Sequence, residues 1–375
     1  MLATTAAMSE QFNKNNILLL EELGFEVHVA GNWYVGNPIS NERLEQFKVW
    51  LGRHHAKWIH ISATRNPGDL KKNINAYRQV VKLIKAYHYE FIHCHTPVGS
   101  VLARIAAHFT NTKIIYTAHG FHFYEGAPIL NWLIYYPVEK FLSRWTDILV
   151  LINKEDYVRA KRNFFAKRTE YVPGVGIDLK KFSSYTVDRE KKREELGVKS
   201  GDFLMLSVGE LIPRKNHSLV IQGISQLKNP RIKYFICGKG ELESQLINMI
   251  KTSKVENQVC LLGFREDIDE LCQAADVFVL PSKQEGVSLA LMEAMACKVP
   301  ILCSAIRGNV DLINDSRWLF DPNEPVSFQK CLYNMWKCSK SEIQESISMN
   351  YSILSKYEIN NVKERIKRLY CEILR

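Results

Sequence analysis

The 375-residue chain lacks the features that mark a membrane-spanning, secreted or disulfide-bonded protein. No apolar run approaches the roughly 20 residues that a membrane-spanning helix needs. The first residues, Met1-Leu2-Ala3, have neither the basic start nor the apolar stretch of a signal peptide. The nine cysteines are scattered, with no Cys-x-x-Cys pair. Such an unpatterned set is typical of reduced thiols, so we expect a cytoplasmic protein.

Nucleic-acid binding has little support, although the net charge of +10 and the pI near 9.0 suggest it. The cations are dispersed, and the sequence contains no basic-aromatic motif of a known nucleic-acid-binding module. Most of the positive excess lies before residue 182. It suits an anionic membrane surface or an anionic lipid-linked substrate, or it is simply a solvated face.

The chain is too long for one ordinary hydrophobic core, so two domains are expected. Short apolar strand patterns alternate with helical patterns in both halves, which indicates α/β architecture with parallel sheets. A connection containing proline and glycine, residues 171–178, precedes a charged stretch. We therefore expect one domain at residues 1–182 and a second at 183–355, with residues 356–375 as a C-terminal segment.

One segment of the second half combines two carboxylates with the start of a helix. It follows an apolar strand pattern, residues 275–280, and contains Glu285 and Glu293. A helix that starts between them offers unpaired N–H groups and the positive end of its dipole, which favour a phosphate. The carboxylates can accept hydrogen bonds from hydroxyls. This combination suits a nucleotide-sugar, which is a diphosphate joined to a polyol.

Two adjacent cations follow the first strand pattern of the same half. Gly209 comes directly after the strand at residues 203–208, and Arg214 and Lys215 lie in the loop beyond it. At the carboxyl end of a strand these cations can neutralise a diphosphate, the arginine as a fork and the lysine as a point charge. Ordinary solvated surface cations are the alternative.

The next two strand patterns end in further candidate residues. Gly238 permits close approach of the backbone to a ligand, or it forms an ordinary tight turn. Phe264 and the backbone at Arg265 are positioned to border a nucleobase. Capping of the following helix by Asp267 is the alternative interpretation of that loop.

Histidines cluster beyond two strand patterns of the first half. His93 and His95 flank Cys94, and His119 precedes a glycine. Their spacing matches no zinc pattern, so no metal site is expected. A histidine just past a strand end is well placed to donate a hydrogen bond into a cleft between domains. His119 and His95 are therefore candidate site residues, with a structural role as the alternative for each.

Residues 128–145 form an apolar, aromatic segment with few charges. Two interpretations stay open: the segment lies partly on a membrane surface with Lys140 and Arg144 at its edge, or it packs as a helix against the sheet. Pro137 would kink the segment if it forms one helix.

Several motifs together indicate a family. They are residues 91–99, 117–123, 126–128, 135–140 and 172–176 in the first half, and 214–217, 262–264 and 285–293 in the second. On these motifs the chain resembles the family-4 retaining glycosyltransferases of GT-B fold, and within them the bacterial capsular and exopolysaccharide enzymes of the EpsD type. The resemblance covers nearly the whole chain.

The resemblance implies two Rossmann-like domains facing across a cleft, with the C-terminal helix returning to the first domain. It implies a retaining hexosyl- or N-acetylhexosaminyltransferase that moves a sugar from a nucleotide-sugar, expected to be UDP-linked, to a polyprenyl-diphosphate-linked saccharide. The sugar transfer would take place at the cytoplasmic face of the membrane, in capsule or exopolysaccharide synthesis, with the protein in peripheral contact with the membrane. No metal or other cofactor is expected.

The resemblance also assigns roles, residue by residue. Glu285 would bind the donor sugar and Glu293 the ribose. Arg214 and Lys215 would stabilise the leaving diphosphate, and His119 would contact the donor sugar from the first domain. The other donor-side candidates are Gly209, Asn216, Gly238, Phe264, Arg265, Gly286, Val287, Ser288 and Leu289, and the acceptor-side candidates are His95 and Thr5.

Two departures from the family pattern leave alternatives open. Many relatives have an arginine directly after the glycine at position 209, where this chain has Glu210, and the strand before Thr5 is short. A catalytically weak GT-B protein that acts as a binding or scaffold component of a polysaccharide assembly complex is therefore the alternative. A sugar-nucleotide epimerase of the same fold is a further one.

Overall fold

The computed structural model describes residues 1–183 and 187–374. The chain forms two compact units: unit 1 is Met1–Gly176 together with Ile359–Arg375, and unit 2 is Ile177–Glu358. The chain thus enters unit 2 at Ile177, whereas the sequence suggested residue 183. In the part of the chain that the structure describes, no helix is both long enough and apolar enough to span a membrane.

Unit 1 is built on one parallel sheet, seven-stranded over the described residues. Its strands are β1 (Leu2–Thr5), β2 (His28–Asn32), β3 (Lys57–His60), β4 (Phe91–His95), β5 (Lys113–Ala118), β6 (Ile148–Leu151) and β7 (Arg168–Tyr171). They lie in the order β3-β2-β1-β4-β5-β6-β7, and every neighbouring pair is parallel. The register of β4 and β5 pairs His95 with Thr117, so the chain beyond both strands emerges at one edge of the sheet.

The helices of unit 1 connect these strands. They are α1 (Ala6–Phe12), α2 (Lys14–Glu22), α3 (Asn41–Arg53), α4 (Leu70–Tyr87), α5 (Pro97–Thr110), α6 (Ile129–Leu142) and α7 (Lys154–Asn163). Local sequence explains several ends. Pro97 opens α5 with a φ already suited to a helix, and the Asn153 side chain caps α7 by accepting a hydrogen bond from the Asp156 N–H. A short 3-10 turn, Ser143–Trp145, follows α6.

Unit 2 repeats the same architecture with six strands over the described residues. The strands are β8 (Phe203–Val208), β9 (Ile232–Cys237), β10 (Val259–Gly263), β11 (Val277–Leu280), β12 (Ile301–Ser304) and β13 (Leu319–Phe320). All neighbours are parallel, in the order β10-β9-β8-β11-β12-β13. The helices are α8 (Leu179–Ser183), α9 (Arg189–Glu195), α10 (His217–Leu227), α11 (Glu243–Thr252), α12 (Ile268–Ala274), α13 (Leu289–Ala296), α14 (Pro325–Lys337) and α15 (Lys340–Ile353).

The last helix, α16 (Ile359–Ile373), belongs to unit 1. Its buried residues recur at helical spacing and join the core beneath β2 and α3: Val362, Ile366, Leu369, Tyr370 and Ile373. The Tyr370 hydroxyl bonds to His93 Nδ1 at 2.8 Å, and Lys113 Nζ donates to the Ile373 carbonyl at 2.7 Å. These contacts hold the C-terminal helix against the sheet of unit 1.

Both sheets are doubly wound, which confirms the parallel α/β architecture expected from the sequence. In each, the strand order reverses at one place, between β1 and β4 in unit 1 and between β8 and β11 in unit 2. Ligands of open α/β sheets bind beyond the carboxyl ends of the strands at such switch points. The loops after these four strands are therefore where the structure should hold functional side chains.

Candidate functional site

The switch point of unit 2 brings together three residues selected from the sequence. Arg214 and Lys215 lie in a 3-10 turn beyond β8, and Glu285 lies in the loop beyond β11. Lys215 Nζ donates to Glu285 Oε1 at 2.8 Å, and Arg214 Nη1 donates to Glu285 Oε2 at 3.1 Å. Arg214 Nη1 also donates to the Gln284 carbonyl at 2.9 Å. The two loops are thus joined through one carboxylate.

The Glu285 carboxylate is ionised because of this geometry. Burial is the largest influence on its pKa and would raise it, but Lys215 and Arg214 together outweigh burial, so the pKa lies below its usual value. The cluster therefore holds two positive charges and one negative charge. The Arg214 side chain keeps 39% of its surface exposed, against 12% for Lys215, so the arginine is the more accessible cation for an anionic ligand.

Glycines let the loops of this site pack closely. A Cβ at Gly209 would lie 3.2 Å from Cδ and Cε of Lys215, so the glycine leaves room for the lysine stem. A Cβ at Gly238 would lie 1.9 Å from the Gly209 carbonyl oxygen. The close approach at Gly238 is therefore to the neighbouring backbone, which accounts for this glycine without a ligand.

Asn216 connects the loops of this site through hydrogen bonds to two backbone carbonyls. Its Nδ2 donates to the Pro281 carbonyl at 3.1 Å and to the Pro322 carbonyl at 2.8 Å. It thereby ties the segments after β8, β11 and β13 together. These bonds position the loops of the site, and the contact of Asn216 with the donor that the resemblance implies stays a prediction.

The start of α13 offers backbone donors next to Glu285. The Ser288 Oγ caps the helix by accepting from the Leu291 N–H at 3.3 Å. Leu289 opens the helix, and the N–H groups of its first turn lack intrahelical acceptors. Gly286 and Val287, just before the cap, are half-buried. This arrangement is suited to a phosphate or a sugar hydroxyl.

Glu293 differs from Glu285 in its surroundings. It lies within α13 and is half-buried, and its carboxylate has no hydrogen bond or ion pair with any residue of 1–183 and 187–374. Burial raises its pKa, Lys181 lowers it and Asp269 raises it, with a net rise. A partly buried carboxylate of this kind is an available acceptor for hydroxyl groups.

The structure adds two residues that the sequence reasoning missed. Arg307, in the loop after β12, is buried and its Nε donates to the Glu285 carbonyl at 3.3 Å. Gly308 has a φ of +80°, and a Cβ there would lie 2.1 Å from the Gly286 carbonyl oxygen. A cation followed by glycine at the carboxyl end of the next strand was the signal that could have identified them.

Phe264 and Arg265 follow β10, and their surroundings differ from those of the Glu285 cluster. The Phe264 side chain is 62% exposed. The Arg265 guanidinium donates to both oxygens of Asp267, which also accepts from Lys192 Nζ. Asp267 stands at the N-cap position of α12, but its side chain makes no capping hydrogen bond. Arg265 is thus part of an ion-pair network on the flank of unit 2.

The switch point of unit 1 is built from hydroxyls. Thr4 Oγ1 and Thr96 Oγ1 are 2.7 Å apart, and the Gly99 N–H donates to Thr4 Oγ1 at 3.0 Å. These bonds join β1 to the start of α5. Thr5, the residue selected from the sequence, is buried at the N-cap position of α1, where its side chain makes no capping bond.

His95 and His119 meet beyond β4 and β5, with 3.1 Å between His95 Nδ1 and His119 Nε2. Burial lowers the pKa of both, to about 4 for His119. Both rings are therefore neutral near pH 7. His95 Nε2 is buried without a hydrogen-bond partner among the described residues, and both rings line a small cavity of about 30 Å³. His93 is structural, because both its nitrogens are occupied by Tyr370 and Thr117.

A metal cluster is not evident in the described residues. Over residues 1–183 and 187–374, no group of three or more His, Cys, Asp or Glu side chains is placed to hold a metal ion. The positive charges near Glu285 come from side chains.

Two doubly wound units in one chain, with Arg214, Lys215 and Glu285 at the switch point of the second, define the class of GT-B glycosyltransferases. Residues 8–153 match the family described as "Glycosyl transferase 4-like", and residues 188–348 match "Glycosyl transferases group 1". The chain is 38% identical over 302 residues to EpsD of Bacillus subtilis (strain 168), which is named as a glycosyltransferase; the match covers 79% of this chain and 75% of EpsD. The chain belongs to the GT-B glycosyltransferases and resembles the EpsD type, as its motifs predicted.

Two further comparisons concern an E. coli relative and a solved structure. The chain is 29% identical over 316 residues to an Escherichia coli enzyme, UDP-Gal:alpha-D-GlcNAc-diphosphoundecaprenol alpha-1,3-galactosyltransferase, with 82% of this chain and 80% of the relative covered. The crystal structure of Anabaena HepE in complex with UDP and glucose superposes with a TM-score of 0.77 at 19% identity, covering 99% of this chain and 98% of HepE. At that identity the likeness concerns the fold, and it confirms GT-B.

Proposed function

We propose that this glycosyltransferase moves a sugar from a UDP-sugar to a lipid-linked saccharide, with retention at the anomeric carbon, during assembly of a capsular or exopolysaccharide. The observation that carries the proposal is the Glu285 carboxylate held between Arg214 and Lys215 at the switch point of unit 2. A UDP-linked donor and an undecaprenyl-diphosphate acceptor appear in the name of the E. coli relative, and UDP in the HepE complex.

The charge of the cluster supports a diphosphate ligand. Two cations and one carboxylate leave one positive charge in excess. Negative charge develops on the leaving diphosphate in the transition state. Fixed cations and helix N–H groups directed at that charge lower the barrier without reorganisation. In this proposal, Arg214 and Lys215 act on the phosphates together with the first turn of α13.

The two carboxylates serve different parts of the donor. Glu285, already anchored by two cations, accepts hydrogen bonds from hydroxyls of the transferred sugar. The Glu293 carboxylate has no hydrogen bond or ion pair among the described residues, and it accepts from the ribose hydroxyls. The assignment agrees with their positions, because Glu285 precedes the phosphate-facing helix start and Glu293 lies further along α13.

In the proposed reaction, the bond between the anomeric carbon and the β-phosphate oxygen breaks. The acceptor hydroxyl oxygen bonds to the anomeric carbon on the same face, and its proton passes to the departing phosphate oxygen. This route retains configuration and needs no carboxylate nucleophile. His119 stays neutral near pH 7, so its role is a hydrogen bond to a sugar hydroxyl rather than a charge.

One observation favours the alternative, a scaffold protein with little or no catalytic activity. Glu210 is exposed in the loop that leads to Arg214, where it adds negative charge near the proposed phosphate site. A protein that binds the donor without turning it over would fit such a weakened site.

The test begins with calorimetric titration of UDP, UDP-sugars and GDP-sugars in the presence of EDTA. We expect UDP and at least one UDP-sugar to bind with similar affinity with or without chelator. Loss of binding in EDTA would overturn the metal-independent site. Binding that instead prefers GDP-sugars would overturn the UDP assignment.

Turnover is then measured by transfer of labelled sugar to a polyprenyl-diphosphate saccharide, with anomeric configuration read by NMR. The matched variants are Lys215→Ala and Lys251→Ala, the second an exposed cation of α11 remote from the cluster. Transfer lost only in Lys215→Ala supports the proposal. Tight donor binding without transfer or hydrolysis would favour the scaffold.

A further inference from the structure

Helix α6 turns an apolar face outward. Five large apolar side chains recur on it at intervals of three or four residues and are between 42% and 68% exposed: Leu130, Leu133, Ile134, Val138 and Phe141. Ile129, at the start of the helix, is 75% exposed. A surface helix of a globular protein normally directs such a stripe toward the core. In α6 the stripe faces solvent.

A buried ion pair fixes α6 in this orientation. Glu139, on the opposite side of the helix, forms an ion pair with Arg104, with 2.8 Å between Arg104 Nη2 and Glu139 Oε2, and its Oε1 accepts from the Tyr116 hydroxyl at 3.3 Å. Arg104 Nη2 also donates to Ser100 Oγ at 3.0 Å. The Arg104 and Glu139 side chains are 1% and 8% exposed. Rotation of α6 to bury its apolar stripe would separate this pair and leave a buried charge unpaired, which is strongly unfavourable.

Aromatic rings extend the apolar stripe at its C-terminal end. The ring of Trp145 lies 5.0 Å from that of Phe141 and 6.3 Å from that of Phe109, which is 70% exposed. Phe165, 49% exposed, lies beneath the Arg144 guanidinium at 4.7 Å. We call α6 together with Phe109, Trp145 and Phe165 the α6 surface.

Cations border this surface without acidic partners. Lys140 and Arg144 lie over its aromatic rings. Neither cation forms an ion pair with a residue that the structure describes. The only acidic residue between positions 126 and 146 is Glu139, which is buried. The accessible charges of α6 and the turn that follows it are therefore positive.

We propose that the α6 surface docks on an anionic lipid bilayer, with the apolar stripe in the headgroup region and the cations on lipid phosphates. Soluble proteins rarely expose contiguous apolar patches of this kind. An apolar stripe flanked by Trp and Lys or Arg is the composition of helices that lie in the membrane interface. Two copies of the chain pairing through this surface would bring like-charged borders together, which disfavours self-association.

This docking is independent of the proposed donor and acceptor, because binding to vesicles requires neither. The test uses the full chain and vesicles of phosphatidylglycerol and phosphatidylcholine, compared with vesicles of phosphatidylcholine alone. We expect the protein to sediment with the anionic vesicles and to be released as salt is raised. Failure of the unaltered protein to bind anionic vesicles at low salt would overturn the proposal.

Two variants separate the apolar from the charged contribution. Leu133→Ser combined with Ile134→Ser should lower vesicle partitioning by roughly tenfold or more, because two apolar side chains no longer enter the interface. Lys140→Gln combined with Arg144→Gln should lower it by roughly fivefold per charge, on anionic vesicles only. Unchanged partitioning in the first variant would overturn the proposal.

The matched control is Val326→Ser combined with Tyr333→Ser in α14, where both side chains are also exposed, at 67% and 52%. It should bind vesicles like the unaltered protein. Equal loss of vesicle binding in the control would mean nonspecific adsorption through any exposed apolar side chain, and it would overturn the proposal. So would a change of oligomeric state in Leu133→Ser/Ile134→Ser, measured by analytical ultracentrifugation, with vesicle binding intact.

A second readout does not depend on the folding of these variants. Brominated phospholipids quench tryptophans that enter the interface. We expect part of the fluorescence to be quenched on binding, and Trp145→Phe to remove most of the quenched part. Quenching that persists unchanged in Trp145→Phe would place the membrane contact elsewhere on the protein.

Discussion

The two switch points of this protein share a topology and differ in chemistry. In unit 1 the carboxyl ends of β1, β4 and β5 and the residues just beyond them present threonine hydroxyls and two neutral imidazoles: Thr4, Thr96, His95 and His119. In unit 2 the loops beyond β8, β11 and β12 present two lysine or arginine cations, a carboxylate and a further buried arginine. The strand order therefore places the loops, and the loop residues decide which ligand chemistry each place can serve.

Burial acts on the two places with opposite results. At His95 and His119 burial lowers the pKa and no carboxylate opposes it, so the rings lose their charge. At Glu285 burial works against ionisation too, but two adjacent cations outweigh it and the charge persists. The switch point of unit 2 thus keeps charged side chains, whereas the two histidines at that of unit 1 are neutral. Four experiments test this difference between the two switch points.

Lys215→Ala should have the largest effect. Loss of a cation at a developing phosphate charge is expected to lower transfer by ~10²-fold or more. Because Lys215 also pairs with the buried Glu285, stability should fall by ~1–3 kcal/mol. The double variant Lys215→Ala/Glu285→Gln should recover much of that stability and none of the activity. Melting curves and transfer assays give both quantities, and activity that recovers with stability would make Lys215 purely structural.

The two carboxylates of unit 2 should respond differently to neutralisation. Glu293→Gln should weaken UDP by ~10- to 150-fold, the equivalent of one charged hydrogen bond of ~1.5–3 kcal/mol. Glu285→Gln should leave UDP affinity intact or raised, since it frees two cations, while transfer falls. Calorimetry with UDP distinguishes them. Equal loss of UDP binding in both variants would contradict separate ribose and sugar roles.

Gly308→Ala tests how tightly the charged site is packed. A Cβ at this position would clash with the Gly286 carbonyl, in addition to the strain of a positive φ. The control is Gly126→Ala in unit 1, which also has a positive φ but nothing within 4 Å. The control should lose only ~1–2 kcal/mol of stability. Gly308→Ala should lose more, and transfer should drop by roughly tenfold. Equal melting temperatures for the two variants would mean that the loop around Gly308 relaxes to accept the added Cβ at little cost.

The last experiment concerns the pH dependence of stability, to which the buried histidines and Glu285 should contribute in different pH ranges. The pKa of His119 is about 4 in the folded protein and near 6.5 when unfolded, so the unfolded chain binds more protons between these values. Stability should therefore fall as pH drops from 6.5 toward 4, at ~1.4 kcal/mol per pH unit for each such proton. Glu285 stabilises above its ordinary value of 4.5, and this is lost only as pH falls through its lowered pKa.

Thermal unfolding of His119→Gln between pH 7 and 4 checks this sign. The slope of stability against pH should be shallower by about one proton than that of the unaltered protein. His88→Asn, which alters an exposed histidine of unit 1, is the control and should keep the original slope. A variant curve parallel to the original would mean that His119 does not titrate as its burial indicates.

Much of the fold could be predicted because central parallel strands are apolar on both faces. The pattern at residues 203–208 matched β8, and the pattern at 275–280 contains β11 (Val277–Leu280). Two edge strands were missed. β7 (Arg168–Tyr171) reads Arg-Thr-Glu-Tyr and is only partly buried, and β13 (Leu319–Phe320) has two residues. Edge strands need less apolar surface, so the periodic signal is weak there.

The sequence by itself determined which chemical groups stand at the ends of the strands. Chain order and the carboxyl-end rule were enough to select Arg214, Lys215, Glu285 and His119. The motifs around them were enough to assign the family. The resemblance to the family implied a C-terminal helix, and α16 (Ile359–Ile373) is that helix.

Only the tertiary structure decided which of these groups meet. Lys215 and Glu285 are 70 positions apart, and their contact depends on β8 and β11 being neighbours in the sheet. The same holds for Arg307, for Gly238 against the Gly209 carbonyl, and for the outward face of α6, which is set by the buried Arg104–Glu139 pair. Periodicity reports that a helix has an apolar face. Which side that face takes depends on partners that are distant in the chain.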